Sequence, residues 1–127
     1  MDAYKTHGAF SWSELTTSDP DAAAKFYGEL FGWKIESMDM GGSTYRVLKV
    51  GDTSVGGLMA MPAGAPPMPP TWGCYVTVDN VDATVAQAVK LGGKVCVPAM
   101  EVPGVGRMAV IADAQGAMLS VMTYSMG

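Results

Sequence analysis

The sequence predicts an α+β fold: two tandem βαβββ modules forming a curved sheet around a concave bowl. An internal echo, repeated helix punctuation and matching groups of strands point to it. The echo runs between TSDPDAAAKFYGELFGWKI, residues 17 to 35, and VDNVDATVAQAVKLGGKV, residues 78 to 95. A shift of sixty residues lays Trp72 on Trp12, Thr77 on Thr17, Asp79 on Asp19, Ala83 on Ala23, Gly92 on Gly32 and Lys94 on Lys34. One unit is therefore written twice.

Local chemistry justifies each element in turn. FSWSEL (10–15) alternates and reads as the first strand. Asp19 is a good N-cap and Pro20 suits the first helical position; Ala23, Phe26, Tyr27, Leu30 and Phe31 mark one stripe, and Gly32 stops the helix. Three strands follow, WKIESM (33–38), STYRVLKV (43–50) and TSVGGLMAM (53–61), separated by the turn formers Gly41-Gly42 and Gly51-Asp52. The second module opens with CYVTV (74–78). Asp79 and Asn80 then supply the cap, Val81, Val85, Ala88 and Val89 the stripe, and Gly92-Gly93 the stop. GKVCV, RMAVIA and AMLSVMTY are its remaining strands, with Asp113 and Gly116 placed for a type I turn between the last two. The modules cover about 8–61 and 72–124 of a single domain spanning 1–127. Between them PAGAPPMPPT (62–71) holds five of the eight prolines and reads as a stiff, extended connection.

Composition narrows the function. With 127 residues, 49% of them hydrophobic and 16% charged, the chain has material for a proper core. No apolar run approaches the roughly 18 residues of a membrane span, and MDAYKTHG has neither the basic start nor the apolar core of a signal peptide. The expectation is a soluble, cytoplasmic protein without a membrane partner. A net charge of −4 without any Lys/Arg cluster removes the electrostatic term behind nucleic-acid affinity. Cys74 and Cys96 form no CxxC and read as buried, reduced thiols.

The phrases DPDAAAKFYGELFGWKI, VDNVDATVAQAVKLGGKV and PGVGRMAVIADAQGAMLSV resemble the vicinal oxygen chelate superfamily, which contains glyoxalase I, bleomycin-resistance proteins and extradiol dioxygenases. The likeness covers nearly the whole chain and is nearest to the small glyoxalase-like proteins. It implies the paired-module fold and a homodimer. In the metal-dependent members four ligands line the bowl, a His or Gln on the first strand of each module and a Glu on the last. Carried over by position, these fall on Trp12, Gly57 and Ser120, with Trp72 or Gly73 as the other, depending on register. None supplies the imidazole or carboxylate donors that divalent metals use. The single histidine, His7, precedes the first strand and reads as a solvated terminal residue. The expectation is no bound metal and no cofactor.

If Trp12 faces the bowl, alternation turns Glu14 the same way. Glu14 is either a functional carboxylate, acting as general base or cation anchor, or a structural acid hydrogen-bonded at the rim. Met118, Ser120 and Met122 share a face, as Met59 does with Gly57; these stripes line an adaptable pocket or belong to the core. Arg107 is either a clamp for a ligand anion or a salt-bridged surface residue. PGVG precedes a strand rather than a helix and fails as a dinucleotide fingerprint. The leading reading is a metal-free small-molecule binding protein of the bleomycin-resistance type, taking an aromatic or cationic organic ligand. Its rival is a metal-independent lyase, isomerase or hydrolase with Glu14 as general base. A metal-dependent glyoxalase or dioxygenase is disfavoured by the missing donors.

Overall fold

The computed structural model describes residues 1–39, 44–61 and 68–125. Along the chain run β1 (Phe10–Thr17), α1 (Pro20–Phe31), β2 (Lys34–Asp39), β3 (Thr44–Val50), β4 (Thr53–Ala60), β5 (Thr71–Thr77), α2 (Val81–Lys90), β6 (Lys94–Val102), β7 (Gly106–Ala112) and β8 (Met118–Tyr124). This is strand, helix, three strands, twice over, as the echo predicts. The expected Gly41-Gly42 turn and residues 62–67 of the proline-rich connection lie outside the described residues. The chain divides into two compact units, Trp12–Gly73 and Met1–Ser11 with Cys74–Gly127, the divide running through β1 and β5.

In the first unit, Trp12–Gly73, the strand order is β2-β3-β4-β1, with β1 and β4 parallel and the other neighbours antiparallel. Leu15, Leu48 and Leu58 are almost fully buried on one face, beneath Ala23, Ala24 and Tyr27 of α1 and beside Trp33 and Ile35. Each leucine so buried contributes about 1.5–3 kcal/mol. Because alternate side chains leave a strand on opposite faces, Trp12, Glu14, Tyr45, Val47, Gly57 and Met59 all belong to the other face.

The second unit has the order β5-β8-β7-β6, with β5 and β8 parallel. Val78, Val81, Ala109 and Val121 form its core, with Val76, Val85, Ala99 and Ile111 packed around them. The segment ahead of β1 is tied to this unit: Thr77 Oγ1 donates to the Ala3 carbonyl at 2.6 Å, and the rings of Tyr4 and Tyr124 meet edge to face at 5.0 Å. His7 is held too, its Nδ1 accepting the Asp79 backbone N–H at 2.9 Å.

Helix punctuation is of the expected kind. Asp19 accepts from the Ala22 N–H at 3.1 Å and Asn80 from the Ala83 N–H at 3.0 Å, while Gly32 and Gly92 follow the two helices with φ of 72° and 95°. The caps at 19 and 80 are sixty-one residues apart and the stopping glycines sixty, because the second helical segment is one residue shorter from cap to glycine. In the β7–β8 turn the Gly116 N–H donates to the Asp113 carbonyl at 3.0 Å, and Asp113 Oδ1 accepts from both Gln115 and Ala117. The thiols correct the sequence reading: Cys74 and Cys96 are free but exposed, not buried. Cys96 lies on edge strand β6, where the pairing slips between Val95 and Val97. No helix among the described residues is long and apolar enough to cross a membrane.

Candidate functional site

On the face of the first unit turned away from α1, two rows of paired residues cross the sheet. One row runs Glu36, Val47, Gly57, Glu14; the next runs Met38, Tyr45, Met59, Thr16. Tyr45 belongs to the second row, but its ring leans across the first until the hydroxyl stands over Gly57. There it donates to Glu14 Oε2 at 2.6 Å and accepts from Trp12 Nε1 at 2.9 Å. The shorter bond has the length of a charge-assisted O–H···O contact. All three side chains are half-buried, so the hydrogen bonds act in a medium less screening than bulk water.

Gly57 makes the arrangement possible. A Cβ there would overlap the hydroxyl and ring of Tyr45 outright. The space that a side chain at position 57 would occupy is taken by a phenol, which couples that position to Trp12. A glycine inside a strand often marks such a close approach. Val47, paired with Gly57, and Met59, paired with Tyr45, are apolar residues that share this face with the polar group. At the edge of the same face Lys49 pairs with Glu36 at 2.9 Å and holds the Glu36 carboxyl below its ordinary range.

A divalent metal does not fit these residues. Trp12 and Gly57 offer no donor, and the volume over Gly57 is filled by Tyr45. No three His, Cys, Asp or Glu residues among those described gather to hold a metal ion.

Trp72 and Gly73 separate cleanly. The Trp72 ring packs edge-on against Tyr27 at 5.3 Å and Trp33 at 6.2 Å, and its Nε1 donates to the Tyr27 hydroxyl at 3.2 Å. That is the α1 side of the unit. Gly73, next along β5, points the other way by alternation, and a Cβ there would meet nothing closer than the Glu14 carbonyl oxygen at 4.0 Å.

The remaining candidates lie in the second unit. Met118, Ser120 and Met122 share one face of β8: Met122 is buried, Ser120 half-buried and Met118 exposed. Arg107 sits within β7 on the α2 side, its Nε and Nη2 donating to Asp82 at 2.8 and 2.9 Å and its Nη1 to Glu101 at 3.1 Å. These bonds hold Asp82 below its usual carboxylate range and raise the guanidinium further. A cavity of about 330 Å³ opens beside them, lined by Asp79, Asn80, Asp82, Glu101, Arg107 and Tyr124 among others. Its one guanidinium is already committed to two carboxylates.

Tyr45 is the residue that sequence reasoning misses. The signals were Gly57 inside a predicted strand and a tyrosine in the strand before it, but their meeting depends on cross-strand register.

The comparisons agree with this architecture. The profile of the Glyoxalase/Bleomycin resistance protein/Dioxygenase superfamily matches residues 9–121. A Mycobacterium tuberculosis (strain CDC 1551 / Oshkosh) protein named "Putative glyoxylase CFP32" is 45% identical over 116 residues, covering 91% of this chain and 44% of its own. "Anthracycline biosynthesis protein DnrV" of Streptomyces peucetius is 32% identical over 127 residues, covering 90% and 46% respectively. This chain thus spans less than half the length of these curated relatives. The crystal structure of methylmalonyl-CoA epimerase from Mycobacterium tuberculosis superposes with a TM-score of 0.62 at 19% identity, over 91% of this chain and 86% of that one, a likeness of fold. Matched over most of its length and sharing the paired βαβββ order, the chain belongs to the Glyoxalase/Bleomycin resistance protein/Dioxygenase superfamily.

Proposed function

We propose that the open face of the first unit binds a small organic molecule without the help of a metal ion. The observation that carries this reading is the Tyr45 hydroxyl, fixed over Gly57 between Trp12 and Glu14. A flat apolar ligand fits the indole of Trp12 and the flexible thioether of Met59. The Glu14 carboxylate favours a ligand carrying positive charge or a strong hydrogen-bond donor, and the acidic balance of the chain agrees. Gly73 leaves open space on the same face. Trp72 and Arg107, engaged elsewhere, have no part in it, and neither do the second unit's Met118, Ser120 and Met122. The test is thermal unfolding against cationic aromatic compounds, since a ligand of the native state raises its midpoint. Stabilisation lost in Glu14→Gln supports the reading; stabilisation unchanged in that variant removes Glu14 from it.

One observation favours a second reading, a metal-independent lyase, isomerase or hydrolase. A carboxylate and a phenol joined at 2.6 Å form a short proton path. Glu14 would accept a proton from a bound substrate, and the Tyr45 hydroxyl, already hydrogen-bonded to it, would steady the charge as it shifts. Relatives and neighbours of this fold include a protein named as a glyoxylase and a methylmalonyl-CoA epimerase. Deuterium exchange into candidate carbon acids, present in the native protein and absent in Glu14→Gln, would establish it. Two exposed, unpaired thiols suit a reducing compartment such as the cytoplasm, and the superfamily likeness carries the expectation of a homodimer.

A further inference from the structure

We infer that Trp12 is a positioning residue, acting through Tyr45, and that the site selects a ligand bringing N–H donors, a protonated amine rather than a quaternary ammonium or an anion. This rests on the ligand reading above and names the chemical class that the site takes. Its ground is the direction of two hydrogen bonds that meet on one oxygen. An indole N–H only donates, and a phenol carries a single proton. The Tyr45 oxygen takes the Trp12 N–H at 2.9 Å, and the Tyr45 proton goes to Glu14 Oε2 at 2.6 Å. Both protons in the row therefore point towards Glu14.

The indole sets that direction. A hydroxyl whose oxygen already receives a donor becomes a stronger donor itself, because hydrogen bonds in a chain polarise one another. The reverse arrangement, with Glu14 donating to Tyr45, would crowd two donors onto one oxygen and turn the phenolic proton away from the carboxylate. Trp12 and Glu14 lie two residues apart on β1 and so reach Tyr45 from the same side of the strand. The first thus holds the second as an acceptor, with the phenol between them.

With its proton committed to Glu14, Tyr45 adds no donor for a ligand, and the row presents acceptors. A carboxylate has about four acceptor sites, of which Tyr45 takes one. A protonated amine matches that chemistry in both charge and N–H groups. A quaternary ammonium has the charge and can lie over the Trp12 ring, but it displaces water from Glu14 without replacing the hydrogen bonds. Sites built around a hydrogen bond reject the analogue that lacks it. An anion meets Glu14 directly, and the Lys49 ammonium at the edge of this face is already paired with Glu36 at 2.9 Å.

Titration with benzylammonium, benzyltrimethylammonium and benzoate, followed by the indole signals in nitrogen–proton correlation spectra, tests the inference. The three tryptophans give three such signals, and Trp72, which donates to Tyr27 at 3.2 Å on the α1 side, is the internal control. Without ligand, Tyr45→Phe should move the Trp12 signal and leave that of Trp72 in place. Wild type should bind benzylammonium about tenfold more tightly than benzyltrimethylammonium, and benzoate more weakly still. Trp12→Phe keeps an aromatic ring without the N–H and should narrow the preference to about threefold, a change in selectivity that a purely structural role would not produce. Tyr45→Phe should narrow it equally, so the test does not depend on one variant folding. A Trp12 signal indifferent to Tyr45→Phe, or a preference unchanged in both variants, would overturn the inference. Benzylammonium bound no better than the quaternary probe would overturn it and leave the ligand reading in place; binding of none of the three would overturn both.

Discussion

The hydroxyl of Tyr45 stands where a side chain on Gly57 would have to be. Position 57 is where the family resemblance carries over a metal ligand, so the phenol and such a ligand are mutually exclusive. Gly57→Ala should push Tyr45 off Glu14 and cost about 1–3 kcal/mol, as overpacking does. Because the obstruction is one side chain, Tyr45→Ala in the same molecule should recover much of that loss. A double-mutant cycle by urea unfolding checks this, and simple additivity would mean that the two residues do not compete for the space.

Tyr45→Phe keeps the ring and removes the hydroxyl, leaving Trp12 Nε1 and Glu14 Oε2 each without the partner they have now. A loss of about 1 kcal/mol in stability is expected, at the low end for unmade hydrogen bonds because the group is half-buried. A larger effect should appear in affinity for a cationic aromatic compound, which calorimetric titration would read directly. Equal affinity for wild type and Tyr45→Phe would confine the hydroxyl to a structural role.

The Asp82–Arg107 pair gives a pH dependence of known sign. Asp82 has a folded pKa below its ordinary value because it accepts hydrogen bonds from Arg107. Its stabilising contribution is therefore present above the unfolded pKa of about 3.9 and is lost as pH falls through the lower folded value. Glu36, paired with Lys49, behaves in the same sense. Melting temperature should fall as the pH drops through this acid range, and Arg107→Met should flatten the part of that slope due to Asp82. Both pairs are exposed, so the effect is small; an unchanged slope in Arg107→Met would show that the pair adds nothing in solution.

Trp72 and Gly73 should respond oppositely to change. Trp72→Ala removes the ring from Tyr27 and Trp33 and should cost about 1–2 kcal/mol while leaving ligand affinity intact. Gly73→Ala meets no atom closer than the Glu14 carbonyl oxygen at 4.0 Å and should fold normally. Melting curves for the two variants decide this, and a destabilised Gly73→Ala would contradict the placement.

The same pair shows how far the sequence could be read. The modules, helix limits and turn at Asp113 were legible because caps, stops and alternation act over a few residues. The sixty-residue echo aligned the stopping glycines and left the caps one residue out of step. Ahead of the helices the correct shift is sixty-one, which places Gly73, and not Trp72, opposite Trp12. In a strand, one residue of error reverses the face. Glu14 was singled out by alternation from Trp12, the position that the family resemblance put in the bowl, but its partner Tyr45 was not, since a hydrogen bond between residues 31 positions apart depends on how β3, β4 and β1 lie side by side. The exposure of Cys74 and Cys96 was hidden for a related reason: nothing local says which strands lack cover.

The central claim, a metal-free ligand site built on Tyr45 and Glu14, is tested most directly by thermal unfolding of chelator-treated protein, with divalent metals and cationic aromatic compounds in parallel. The account predicts that an organic compound raises the wild-type midpoint, that Glu14→Gln abolishes the rise, and that nickel, zinc, manganese and iron give none. A metal-dependent rise with stoichiometric uptake would contradict it.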